Sequence, residues 1–406
     1  MNKGTSKTQI AIIGTGIVGL CAAYAVAKTG AKVCILAPKS QINDQRSTAF
    51  MMGSVEYLEA LGLWQSLLPH SYPLNIMRIL DDTKRLIRAP QTDFKASEIG
   101  LPAFGYNILN KAIIEQLQNA LNKLQNVSYV EKRVKHVQTD IDQDAQITFE
   151  DESKLSAEFV IGADGRNSIV REALQIETRK WQYPQIALVG NFSHALPHDN
   201  ISTEFHTQTG PFTLVPLSKI GKPNMSSFVC VEDADGAAKL MQLSKNELAL
   251  ELEKRMQSIL GKVTLETNLQ QFPLSGLVAK QFSKDNVALI GEAAHAFPPI
   301  GAQGLNLGIR DIKNITQCIT QRLAENDNLA EAAKQYNAQR AVDINTRTLS
   351  VDLLNRSLLS NHLPVQATRS FALYALGAFE PFKKLAMNEG ISPGRIFTKL
   401  NILNKR

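Results

Sequence analysis

Hydrophobic and polar positions along the chain fall into a few distinct patterns. Near the start, residues 9–13, 17–29 and 32–36 read as strand, helix and strand, with glycines in the first turn. This β-α-β opening predicts a parallel sheet. Helical spacing returns at 54–68 and at 109–124, where Ile113, Leu117, Ala120, Leu121 and Leu124 share a face. Alternation at 77–86, 127–137 and 145–149 predicts smaller β elements. From 181 to 231 the pattern turns β-like, and STEFHTQTGPFTLVPL has the form of a hairpin. A helix is expected over 245–260. Beyond residue 304 helices dominate, beginning with 304–324, where Ile309, Ile312, Ile315, Ile319 and Leu323 line one side. The architecture expected is a doubly wound α/β domain, interrupted by a mixed β insertion and followed by a helical C-terminal region.

Composition changes this picture little. The chain has 406 residues, 44% hydrophobic and 20% charged, which is ordinary globular material. Cys21, Cys34, Cys230 and Cys318 show no metal or disulfide spacing and read as buried, reduced thiols. No metal site is expected. Residues 10–27 are apolar enough to suggest a membrane span, but their three glycines stand at strand-to-helix spacing, so the span is rejected. With no secretory segment at the start, a cytoplasmic protein is expected.

Charge is more informative, because it is uneven. Residues 383–406 carry Lys383, Lys384, Arg395, Lys399, Lys405 and Arg406 against Glu389 alone. That segment's +5 leaves about +1 of the net +6 for all the rest. A nucleic-acid groove over the body of the protein is excluded. A basic tail interleaved with apolar residues instead suggests peripheral contact with an anionic membrane surface or a partner protein.

The first candidate site is Gly14-Thr15-Gly16-Ile17-Val18-Gly19, a G-x-G-x-x-G between strand and helix. The first glycine makes a tight turn, the second lets backbone approach a pyrophosphate, and the third lets helix and strand pack closely. The acid that should close the second strand and accept ribose hydroxyls is missing. Its place is Ala37, and Asp44 lies beyond the strand end, leaving backbone or the Lys39/Ser40 turn to hold the ribose. Two further segments complete a set. VIGADGRNSIVR holds Asp164-Gly165, Ser168 and Arg171. Later come Gly291-Glu292-Ala293-Ala294-His295 and Pro298.

With this triplet the sequence resembles the FAD-dependent aromatic monooxygenases, and more closely their branch that hydroxylates polyprenylated phenols in ubiquinone biosynthesis. QRSTAF at 45–50 is similar to that branch's R-x-[ST]-A segment, and residues 272–311 resemble its late signature. The resemblance implies a Rossmann-like FAD-binding domain of residues 1–75, 100–180 and 275–345. A substrate-binding β-sheet insertion of 76–99 and 181–274 and a helical region of 346–406 would complete the chain. Glu292 stands where the family usually has Asp, the acceptor for the ribityl chain. Gly301, Gln303, Gly304, Leu305 and Asn306 would present backbone N–H groups and a helix N-terminus to the flavin's N1/C2-carbonyl edge. Pro298 and Pro299 would wall the reactive face, and Arg46 would contact the phosphate or ring. Lys111 holds the place of an arginine facing the cofactor. Asp164 and Arg171 would link the FAD phosphates to the nicotinamide approach, while His295 is expected to play a supporting role.

The implied reaction is hydroxylation of an aromatic ring through a C4a-hydroperoxyflavin, with O₂ and with NADPH or NADH as a transient donor. No second G-x-G-x-x-G is present for the nicotinamide. The substrate, a small apolar phenol, is expected against Phe205, Phe212, Leu214, Val215 and Pro216. Rival readings are a reductase or epoxidase of the same fold acting on an isoprenoid, or a non-catalytic flavin-binding scaffold. A homo-oligomer or a biosynthetic complex would suit either. His194 and His198 stand four apart with Pro197 between them and read as surface residues.

Overall fold

A computed structural model describes residues 6–39, 44–83, 88, 90–140, 143–219, 222–298, 302–359 and 380–391. Its centre is the strand Ser6–Ile13, whose apolar second half is almost wholly buried. It pairs in parallel with Val33–Leu36 on one side and Lys154–Gly162 on the other. Val127–Val130 and Val287–Leu289 extend this parallel sheet outward, and antiparallel strands Val134–Asp140, Gln143–Phe149 and Ser283–Lys284 complete it. Helix Ile17–Ala27 packs against helices Asn110–Leu121 and Gln303–Glu325. All four cysteines are free and buried.

The second sheet has nine strands. Its backbone is the antiparallel set Gln270–Ala279, Thr178–His194, Lys222–Asp233, Pro211–Lys219 and Ile201–His206, continued by Ile76–Asp81 and Thr92–Lys95. Helices Ala234–Gln242 and Lys245–Arg255 cover one face, the latter started by a capping box between Ser244 and Glu247. A small third sheet of Ser47–Met51, Gly105–Leu109 and Ser71–Pro73 is tied to the second by hydrogen bonds of Ser47 to Ser227 and Asn107 to Pro216. The late segment is a junction. After Val287–Leu289 in the first sheet and a single 3₁₀ turn, His295–Ala296 pairs with Leu277 and Val278 of the second.

Two expectations about elements need correction. The helix expected over 54–68 is two helices, Met52–Ala60 and Trp64–Leu67, because Gly62 takes φ of 77° and ends the first. The β pattern that starts at 181 belongs to a strand beginning at Thr178, with a register shift between Gln182 and Ile186. Of the basic tail, residues 392–406 lie outside the described residues. Within helix Glu380–Ile391, Lys383 pairs with Glu98 at 2.9 Å over the Phe94 ring, and Lys384 pairs with Glu380. Among the described residues, no helix is long and apolar enough to cross a membrane.

Candidate functional site

The glycine turn is shaped by its neighbours as much as by a ligand. Gly14 has φ of 117°, and a Cβ there would collide with the Ala163 carbonyl at the end of Lys154–Gly162. At Gly19 a side chain would run into the Gly14 carbonyl. Gly16 differs, for a Cβ there meets no atom of the described residues within 4 Å. It opens helix Ile17–Ala27, where no side chain caps the first amides and no acid occupies the first turn. Uncapped N–H groups facing open space are what an anion needs.

Asp164 closes the neighbouring strand beside this turn. Its Oδ2 accepts from Val170 N at 3.1 Å in the first turn of the short helix Ile169–Ala173, while its buried Oδ1 has no partner among the described residues. A buried carboxylate oxygen without a donor is costly unless a ligand supplies one. Arg171 is spent differently from expectation. Its guanidinium donates to Ala293 O and Arg166 O, both at 2.8 Å, so it is a tie between the middle and late segments and does not reach toward a phosphate. Arg166 in turn donates to Ser275 of the second sheet.

The late segment closes the cradle from the far side. Val18 of the glycine-turn helix sits between Gly291 and Gly308, where added Cβ atoms would lie 3.1 and 2.7 Å from it. Helix Gln303–Glu325 begins after Ala302, which is left-handed at φ of 52°. Its first turn holds no acid, and a Cβ at Gly304 would meet no atom of the described residues within 4 Å. Asn306 makes four side-chain hydrogen bonds. Oδ1 accepts from Met51 N (2.9 Å) and Ser54 Oγ (2.7 Å), and Nδ2 donates to Ala49 O (2.9 Å) and Ala302 O (2.6 Å). The Asn306 side chain therefore fixes the helix start against the third sheet, leaving only its backbone for a cofactor.

Beneath this loop lies a buried ionic network that the sequence reading did not find. His295 Nε2 meets Asp311 Oδ2 at 2.7 Å, and the same oxygen accepts from Gly291 N at 2.9 Å. Arg340 Nε donates to Asp311 Oδ1 at 2.8 Å, and its NH1 pairs with Asp343. Burial alone would raise the Asp311 carboxyl, but His295 and Arg340 hold it below the usual range. His295 and the Gly291 amide thus meet on the same Asp311 oxygen. A hint of Asp311 existed, since it ends the late signature.

The remaining predicted residues divide. Glu292 is exposed, near enough to Arg46 to favour its charge. Arg46 forms a bidentate pair with Asp44 (2.8 and 2.7 Å) over the Phe272 ring. Burial opposes ionisation of Asp44, yet Arg46 and Asn110 together hold its carboxyl low. Lys111 is exposed and paired with Glu115 one turn on at 3.8 Å. Pro298 is buried, whereas Pro299 and Gly301 lie outside the described residues.

The substrate residues need the clearest correction. Phe205, Phe212 and Leu214 are buried in the core beneath the two covering helices. Pro216 shares their parity along the strand. Only Val215 faces the other way, opposite Ser227, whose hydroxyl meets Ser47 and Asn107 of the third sheet. That face also carries Val189 opposite Val229, and Phe272 opposite Ala187. Alternate strand residues point to opposite faces, so Phe212, Leu214 and Pro216 cannot share a surface with Val215. His194 and His198, expected at the surface, are buried.

Together these features fit FAD: two uncapped helix starts, open space at Gly16 and Gly304, and the unpartnered Asp164 oxygen. A family model described as FAD binding domain matches residues 7–348. The chain is similar to the ubiquinone hydroxylase UbiL of Rhodospirillum rubrum, 28% identical over 94% of this chain and 89% of that one. It is also similar to the 3-demethoxyubiquinol 3-hydroxylase of Escherichia coli, 28% identical over 94% and 97%. Among solved structures, P. aeruginosa PqsL in complex with 2-aminobenzoylacetate shares the fold, with a TM-score of 0.76 at 23% identity, covering 91% of this chain and all of that one. So does Klebsiella pneumoniae HpxO complexed with FAD and uric acid, at 0.75 and 18%, covering 96% and 98%.

Proposed function

The chain belongs to the FAD binding domain family, and from that premise we propose that it hydroxylates the aromatic ring of a polyprenylated phenol in ubiquinone biosynthesis. What carries this reading is the Gly16 helix start beside the Asp164 strand end, where a Cβ on Gly14 would lie 3.1 Å from Asp164 Cα, together with the packing of Val18 from that helix against Gly291 and Gly308 of the late segment. When bound, FAD supplies the reductive activation of O₂ at the expense of NADPH or NADH and the transfer of one oxygen atom to the ring.

The protein's own residues orient and enclose. Amides at the start of helix Ile17–Ala27 would hold the pyrophosphate, and those at the start of helix Gln303–Glu325 would stabilise the negative charge the flavin gains on reduction. Asn306 and the His295–Asp311–Arg340 network keep that second helix start and the Gly291 turn in register. Val189, Val215, Val229 and Phe272 form an apolar floor that excludes water from the substrate ring. Entry of an isoprenoid tail from a membrane surface would use the basic groups beyond helix Glu380–Ile391, because Lys383 and Lys384 are already paired.

The test is to purify the protein with FAD and supply NADPH or NADH with a polyprenylated phenol. Phenol-stimulated oxidation of the nicotinamide, with a product carrying one added oxygen on the ring, is expected. Saturation or epoxidation of the prenyl chain would replace this reading with a same-fold reductase or epoxidase. No stimulation by any phenol would leave the scaffold reading.

A further inference from the structure

The adenosine end of the cradle lacks an acid where the second strand stops, and the structure offers one on the next strand. Val33–Leu36 and Val127–Val130 run parallel, with Leu36 beside Val130. The ladder continues one residue further, since Ala37 N donates to Val130 O at 3.3 Å, which brings Ala37 beside Glu131. There the chain turns, with Lys132 N donating back to Val130 O at 2.8 Å, and Glu131 is exposed at the carboxyl edge of the parallel sheet. In open α/β sheets this edge is where ligands bind.

Its surroundings leave the carboxylate unspent. The three cations that follow each have their own acid: Lys132 with Asp151 at 2.7 Å, Arg133 with Glu150 at 3.5 Å, and Lys135 with Glu152. Glu131 has no side-chain hydrogen bond or ion pair among the described residues. Neighbouring strands stand about 4.8 Å apart, a gap that a glutamate side chain spans. Lys39, the other charged group at the end of the second strand, is exposed and carries donors only. A ribose diol needs an acceptor for its two hydroxyls.

We propose that Glu131 accepts hydrogen bonds from the adenosine ribose of FAD, taking the role that an acid at Ala37 would have filled. The inference rests on the FAD assignment and adds the residue that makes the site selective for the dinucleotide. Its test is equilibrium binding to the apoprotein, read by flavin fluorescence, with FAD and with FMN, which lacks the adenosine. Glu131→Gln should weaken FAD binding roughly tenfold, the worth of a charge-assisted hydrogen bond, and leave FMN binding unchanged. Adding Ala37→Glu to that variant should restore FAD affinity. The proposal is overturned if Glu131→Gln binds FAD as the wild type does, or if it loses FAD and FMN equally. Wild-type protein that takes up no FAD would instead overturn the cofactor assignment, and this inference with it.

Discussion

His295 and Asp311 meet at 2.7 Å where neither side chain is reached by solvent, and the oxygen they share also holds the Gly291 amide. One carboxylate therefore joins the turn after Val287–Leu289 to helix Gln303–Glu325 and, through Arg340, to helix Leu329–Leu359. Asp311→Asn would leave the Arg340 guanidinium buried without its main counter-charge. Removing one partner of a buried pair costs about 3–5 kcal/mol. The expected outcome is a large drop in denaturant midpoint together with loss of FAD during purification. An unchanged midpoint would remove the network from the account of the site.

The glycine turn allows a sharper separation of folding from binding. Gly14→Ala forces a left-handed alanine against the Ala163 carbonyl, so it should destabilise the protein by about 3 kcal/mol or more. Gly16→Ala meets nothing in the protein, and its melting temperature without cofactor should match the wild type. Its methyl group would occupy the space intended for the pyrophosphate, weakening FAD binding roughly tenfold or more. Equal effects of the two substitutions on unliganded stability would contradict this division.

Much of this site was readable in the chain because its chemistry is local. A strand, a glycine turn and a helix start lie within a few residues, and each of the three segments announces itself by turn chemistry. What escaped notice is non-local. Arg171 spans 122 positions to Ala293. Asp311 and Arg340 meet across two helices. No spacing rule signals such pairs. The substrate surface failed for a different reason: alternation identifies two faces but not which one a helix will cover.

That ambiguity can be settled by kinetics. Phe212→Ala should cost about 3–5 kcal/mol of stability, as a buried aromatic in the helix-covered core does. KM for the phenol should hardly change in the protein that folds. Val215→Ala should leave stability within about 1 kcal/mol, since the side chain is half-buried and small, and should raise KM. The reverse pattern would return the substrate to the Phe205–Phe212 face.

The buried histidines predict a pH dependence of stability. His198 Nδ1 accepts from Asn200 N at 3.1 Å, and its ring lies edge-on to Tyr72, so the folded protein holds it neutral. Burial, helped by nearby His194, lowers its pKa from 6.5 to about 4. Below pH 6.5 the unfolded chain then binds a proton that the folded one refuses, and stability falls as the pH drops. The loss is complete only below pH 4, where both states are protonated, and amounts to about 3 kcal/mol at one proton. His194, lowered mainly by burial, adds in the same direction. Melting temperatures from pH 7 to pH 4 should decline in the wild type and decline less in His198→Gln, which has no titrating ring. Parallel profiles for the two proteins would mean that His198 takes up its proton in the folded state as readily as in the unfolded one.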